Sequence, residues 1–148
     1  MMKLKINSLN DTLAFAQTCA QNLPIHSVFA LEGDLGTGKT TFVKALFKAF
    51  GYTGLVNSPT FTLYQVYDFE PPLVHVDAYR IEKHELPLDL DDIFNYQGLI
   101  CVEWADRIQA ALPKDYIRIV LTWVSAQERE IEVTGYGTYQ KRIAQLMA

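Results

Sequence analysis

Paired cysteines, a membrane-length apolar run and an excess of positive charge are all missing from this chain. Cys19 and Cys101 stand alone in 148 residues, without the Cys-x-x-Cys or Cys/His spacing that a zinc site needs. They read as free or buried thiols of a reducing compartment, not as a disulfide framework. No apolar stretch approaches the roughly 20 residues that span a bilayer. The opening Met1-Met2-Lys3-Leu4-Lys5-Ile6-Asn7 also lacks a signal-peptide core. A cytoplasmic location without membrane contact is therefore expected. With 13 Lys and Arg against 17 Asp and Glu, the net charge is −4, so the chain is not expected to grip nucleic acid by itself. There is no internal repeat, low-complexity segment or Ser/Gly-rich linker. A hydrophobic share of 49% and a charged share of 20% suit one domain over residues 1–148 with a real core.

What is present is a loop. Gly33-Asp34-Leu35-Gly36-Thr37-Gly38-Lys39-Thr40 reads G-x-x-x-x-G-K-T. An apolar strand candidate, Ser27–Glu32, precedes it, and an amphipathic helix candidate with Phe42, Val43, Leu46, Phe47 and Phe50 on one face follows. That order of strand, glycine-rich turn and helix turns the pattern into a phosphate-binding mechanism. The glycines let successive backbone N–H groups curl around phosphate oxygens, and the helix N-terminus adds partial positive charge. Lys39 would reach the β- and γ-phosphates, and the Thr40 hydroxyl would ligate magnesium. A plain glycine-rich turn with a helix-capping Thr is the bland alternative, and the flanking context argues against it. The pattern points to a nucleoside triphosphate.

The remaining chain alternates strands and helices. Ser8-x-x-Asp11 resembles a capping box ahead of a helix over about residues 9–22. Thr60–Asp68 and Leu73–Asp77 read as an antiparallel strand pair joined tightly at Pro71-Pro72. Residues 85–95 suggest a short helix broken near Pro87, and Leu99–Glu103 a buried strand. Ala105–Leu112 reads as a short helix. Tyr116–Val124 and Arg129–Thr134 form a strand pair, and Tyr139–Met147 a closing helix. This succession implies an α/β sandwich around a mixed sheet.

A phosphate loop needs a carboxylate at the end of a neighbouring apolar strand to hold magnesium. Two strand ends supply one: Asp77 after Leu73-Val74-His75-Val76, and Glu103 after Leu99-Ile100-Cys101-Val102. Both are expected at the C-terminal edge of the sheet, where ligands of open α/β sheets bind. One would serve the metal and the other the attacking water, unless one of them only caps the helix that follows. Ser58-Pro59-Thr60-Phe61-Thr62 reads either as a γ-phosphate-sensing loop or as an ordinary Pro turn. His75 is either catalytic or a core histidine bonded within the sheet.

Taken in order, Gly33–Phe42, Asn57–Leu63, His75-Val76-Asp77-Ala78-Tyr79-Arg80 and Val102-Glu103-Trp104 resemble the bacterial TsaE (YjeE) family over essentially the whole chain. These are small P-loop ATPases required for making threonylcarbamoyladenosine in tRNA. The resemblance implies a P-loop NTPase-like three-layer sandwich with a mixed, mainly parallel central sheet and antiparallel additions. It also implies ATP and ADP as ligands with Mg2+, and slow hydrolysis by the chain alone. TsaD and TsaB are the implied protein partners and carry the transferase chemistry, with tRNA met only through that complex.

By the same resemblance Lys39 grips phosphate, and Thr40 and Glu103 hold magnesium. Asp77 positions water or the metal's water, and Thr60 is a switch-like hydroxyl. Asp34, Leu35, Gly36, Thr37 and Gly38 form the cradle, Thr41 helps hold the α-phosphate, and Trp104 supports Glu103. Adenine contacts fall on Leu9 to Thr12 and on Arg129, although Arg129 is equally well explained as a solvated strand charge. One departure stands out. The family's glycine after an apolar pair is missing from Leu86-Pro87-Leu88-Asp89-Leu90, which bears on the local backbone and partner contacts there.

Other P-loop functions fit less well. A small-molecule kinase needs a substrate domain and an arginine-bearing lid, which this chain lacks. A guanine-reading switch needs Asn-Lys-x-Asp and Asp-x-x-Gly, and neither occurs. A binding adaptor without hydrolysis would not need two acidic strand ends.

Overall fold

The computed structural model describes residues 1–59, 62–81 and 90–146. Among the described residues, seven strands and four α-helices follow one another. They are β1 (Met2–Ile6), α1 (Leu9–Asn22), β2 (Val28–Glu32), α2 (Lys39–Ala49), β3 (Tyr64–Tyr67) and β4 (Leu73–Asp77), then α3 (Leu90–Phe94), β5 (Leu99–Glu103), β6 (Tyr116–Trp123), β7 (Arg129–Tyr136) and α4 (Tyr139–Leu146). A 3-10 segment, Ala105–Ala111, follows β5 and kinks at Ile108. The strands form one sheet in the order β1-β7-β6-β2-β5-β4-β3. β6, β2, β5 and β4 run parallel, while β7 and β3 are antiparallel to their neighbours. β1 then pairs antiparallel with β7 and closes that edge. This is the mixed sheet with antiparallel additions that the sequence led us to expect.

Strand alternation divides the apolar side chains between two faces. Phe29, Leu31, Leu99, Cys101 and Ile117 meet Phe15 of α1, Phe42 and Phe47 of α2, and Ile143 of α4. Val28, Ala30, Val74, Ile100 and Val102 meet Ile93 of α3 and Ile108 of the 3-10 segment. Helices on both faces make three layers. Fully burying a side chain such as Phe29, Phe42 or Phe47 contributes about 1.5–3 kcal/mol. Cys19 and Cys101 are free and lie inside this core. Burial pushes the Cys19 thiol up to about 12 and raises the Cys101 thiol well above the usual range, so both stay protonated at neutral pH.

Several boundaries differ from those expected. β1 was read only as a segment lacking a signal core, yet Met2, Leu4 and Ile6 alternate with two lysines, as an edge strand does. The helix after the phosphate loop starts at Lys39, inside the motif. The third strand spans only Tyr64–Tyr67, and the expected Thr60 and Phe61 lie outside the described residues. So does residues 82–89, which contains most of the expected break near Pro87 and of the missing-glycine stretch. The short helix expected over Ala105–Leu112 is present as the 3-10 segment Ala105–Ala111. The capping signal at α1 is real: Ser8 Oγ accepts from the Asp11 amide at 3.2 Å, and Asp11 Oδ2 accepts from the Asn7 amide at 2.8 Å.

Candidate functional site

β2, β4 and β5 are parallel and adjacent through β5, so their C-terminal ends share one edge of the sheet. From β2 the chain turns through the glycine-rich loop into α2. Gly38, the residue before the helix, has φ +104°, a left-handed conformation that costs glycine little. No side chain caps α2, which leaves its first-turn amides directed at the cleft. Gly33 is required for space: a Cβ there would lie 2.6 Å from both the Leu121 carbonyl oxygen and Thr37 Oγ1. Overpacking against the backbone of β6 costs roughly 1–3 kcal/mol. Gly33→Ala should therefore lower the melting temperature and distort the loop. An unchanged melt and unchanged nucleotide affinity would contradict this packing.

Asp77 and Glu103 are register partners on β4 and β5, hence about 4.8 Å apart along the hydrogen-bonding direction. A cleft of about 350 Å³ contains both, together with Lys39, Thr40, Ser58 and Trp104. Glu103 is only 4% exposed. Its Oε1 and Oε2 lie 2.8 and 2.9 Å from Thr40 Oγ1, which also sits 3.0 Å from Ser58 Oγ. His75 Nε2 lies 2.5 Å from Glu103 Oε2. Asp77 Oδ1 accepts the Tyr79 amide at 3.0 Å, so this carboxylate also braces the turn that follows it. Glu32, the acid nearest the loop, takes no part in the cleft. It is forked onto Arg118, with Nε to Oε2 at 2.5 Å and Nη2 to Oε1 at 3.0 Å, and this bond raises the guanidinium's pKa further.

The Lys39 ammonium donates to the carbonyls of Gly33 at 2.6 Å and Asp34 at 3.0 Å. It lies 4.1 Å from the centroid of the Trp104 ring, a cation–π contact. Burial lowers its pKa, and the carboxylates of Glu103, Asp34, Asp77 and Asp106 pull it back up. Trp104 itself has φ +57°, the one non-glycine residue with positive φ among the described residues. Such backbone costs about 1–3 kcal/mol and gathers at functional sites. Here it turns the indole beneath Lys39 and to within 4.9 Å of the Tyr79 ring. Arg107, which the sequence reading passed over, lies over both rings. Its position three residues after Trp104 was the available signal.

A second depression, about 380 Å³, adjoins the first across Gly36, Gly38 and Thr41. Leu9, Thr12 and Arg129 line it, with Ile6 and Gln127. Arg129 Nη2 reaches the Gly36 carbonyl at 3.4 Å, and its guanidinium lies 5.8 Å from the Trp123 centroid. The structure thus brings Leu9, Thr12, Leu35, Gly36, Thr37, Gly38, Lys39, Thr40, Thr41, Asp77, Glu103, Trp104 and Arg129 around two joined hollows, while Asp34 lines neither and meets the site through its carbonyl on Lys39. Thr60 alone of the expected residues lies outside the description.

Could the site hold a metal? Among the described residues no three His, Cys, Asp or Glu side chains cluster tightly enough to cage an ion. The hard oxygens of Thr40, Glu103 and Asp77 suit magnesium, which commonly takes one or two protein oxygens and completes its shell with phosphates and water. The donor set would fit a magnesium ion whose other ligands came from phosphate and water.

Strand, glycine loop, helix and two acid-tipped neighbouring strands define a P-loop NTPase-like α/β protein. The family model described as "Threonylcarbamoyl adenosine biosynthesis protein TsaE" matches residues 6–131. The chain belongs to the TsaE family. It is 43% identical over 140 residues to the tRNA threonylcarbamoyladenosine biosynthesis protein TsaE of Bacillus subtilis (strain 168), covering 93% of this chain and 89% of that protein. The corresponding protein of Nostoc sp. is 36% identical, covering 93% of this chain and 88% of its own length. Among solved structures, the crystal structure of Bacillus subtilis YdiB is similar with a TM-score of 0.82 at 36% identity, over 99% of this chain and 93% of the other. No helix among the described residues is long and apolar enough to cross a membrane.

Proposed function

We propose that this chain is a single-domain, Mg2+-dependent ATPase that serves tRNA threonylcarbamoyladenosine biosynthesis by coupling its nucleotide cycle to the TsaB–TsaD pair. One observation supports the reading most. The Thr40 hydroxyl is bonded to Glu103, 63 positions away, in the cleft that also holds Lys39 and Asp77. A phosphate loop used only as a turn would not need its threonine held by an acid from another strand.

In this reading the triphosphate lies along the loop, with its γ end between Asp77 and Glu103 and its base in the hollow of Leu9, Thr12 and Arg129. Magnesium, when bound, would neutralise the developing phosphate charge. Lys39 exchanges the carbonyls of Gly33 and Asp34 for phosphate oxygens. Glu103 orients the Thr40 hydroxyl, and Asp77 is placed to orient water. Thr41 borders both hollows, where the α-phosphate would fall. Thr60, two residues beyond Ser58, would be the switch-like hydroxyl. The negative net charge fits a cytoplasmic protein that meets tRNA only through its partners.

A small P-loop kinase or a nucleotide-dependent switch is the alternative. A phosphate-release panel over ATP, GTP, CTP and UTP, with and without TsaB–TsaD, separates these readings. We expect slow, ATP-selective, magnesium-dependent release that the protein pair accelerates. Phosphate transfer to a small molecule, or no retention of any purine triphosphate, would defeat the proposal.

A further inference from the structure

His75 has no part in the reaction just described, yet it is the most tightly placed polar side chain beside the cleft. It sits mid-strand in β4 with no exposed surface. Alternation puts its side chain on the same face as Asp77, and its register partner on β5 is Cys101, two residues before Glu103. The ring meets Phe47 of α2 nearly edge-on, with centroids 6.4 Å apart at 83°, which fixes its plane. Nε2 lies 2.5 Å from Glu103 Oε2, while Nδ1 has no hydrogen-bond partner among the described residues.

These contacts assign the proton. A carboxylate accepts, so Nε2 donates. A second N–H at Nδ1 would be a buried donor without an acceptor, which is costly. The ring therefore carries its proton on Nε2, pointing at Glu103. The two oxygens of Glu103 then differ. Oε2 accepts from His75 and lies within reach of Thr40, whereas Oε1 meets Thr40 alone. An unpinned glutamate could exchange its oxygens by rotating about its last bond, and this one is held from inside the sheet.

We propose that His75 is a positioning residue that divides the work of the Glu103 carboxylate, anchoring Oε2 and presenting Oε1 to the metal's coordination sphere. The assignment rests on the magnesium–nucleotide reading above. Partners of this outer kind typically change metal affinity or activity by about 10–100-fold when removed.

The test has two arms. In the first, 15N NMR of the His75 ring in the ligand-free protein should report Nε2 protonated and Nδ1 bare, with the Nε2 resonance moving in E103Q. The opposite tautomer would overturn the proposal. In the second, calorimetry compares ADP affinity with magnesium and with chelator. We expect H75L to lose the magnesium-dependent gain by about 10-fold or more, while its metal-free affinity stays within about 2-fold of the parent. H75Q, whose amide reaches as far as Nε2, should recover most of that gain. Equal magnesium dependence in H75L and the parent, or an H75Q no better than H75L, would overturn it. Should H75L not fold, H75Q against H75N serves instead, because only Gln has the reach, and equal behaviour of the two counts against the proposal. A parent protein whose ADP affinity ignores magnesium would defeat the nucleotide–metal reading itself and this assignment with it. The NMR arm would still report whether the His75–Glu103 bond exists.

Discussion

Lys39→Ala is expected to weaken ATP binding by about 100-fold while leaving the fold intact. Lys39 is 5% exposed, and its ammonium is held by two loop carbonyls and the Trp104 face. All three partners border the path proposed for the phosphates, so the cation is fixed where their charge would fall. A hydrogen bond to a charged group contributes about 1.5–3 kcal/mol. Losing about 2.7 kcal/mol corresponds to two decades in affinity. Stability should move little, because the substitution also removes a cation that burial disfavours, as the lowered pKa of Lys39 indicates. Lys39→Met, which keeps the apolar stem over Trp104 without the charge, should bind as poorly as the alanine variant. Calorimetry with ATP and a thermal melt decide the matter. An unchanged affinity in a folded variant would mean that the phosphate grip lies elsewhere.

Glu103→Gln is expected to lower phosphate release by about 100-fold or more, with metal-free nucleotide binding kept. The neutral amide preserves volume beside His75 and Thr40 but removes the negative charge that would face the metal in the proposed function. Glu103→Ala should lose the same activity and also stability, since it strips the partner from a buried histidine and leaves a void. Comparing the two variants separates charge from packing. The measurements are phosphate release across a magnesium titration and the melt of each protein. Hydrolysis that survives in Glu103→Gln with its magnesium dependence intact would transfer the metal-holding role to Asp77.

The parts of this site legible in the sequence are those encoded locally. The loop is contiguous, and its glycines, lysine and threonine carry fixed spacing. Asp77 and Glu103 were legible because each ends an apolar run, and parallel pairing then sets them side by side. The partner of His75 was not legible. Whether that ring faced core or acid depended on which strand lay beside β4, a long-range fact absent from its neighbourhood. The positive φ of Trp104 had no sequence signal either, because an indole is a poor occupant of that region and only its surroundings hold it there. Nor was β1 recognised. Its alternation of apolar and basic residues was visible, but so short a segment gains meaning only from β7, far along the chain.

That edge strand has a consequence for the nucleotide binding proposed above. Ile6 pairs with Arg129, both line the second hollow, and two residues separate Ile6 from Leu9 at the start of α1. In the proposed function Ile6, at the end of that strand, would act as a doorpost for the ring system of the ligand, in a different hollow from the acids that would face the terminal phosphate. Trimming or crowding that end would loosen discrimination among bases while leaving the grip on the triphosphate tail in place.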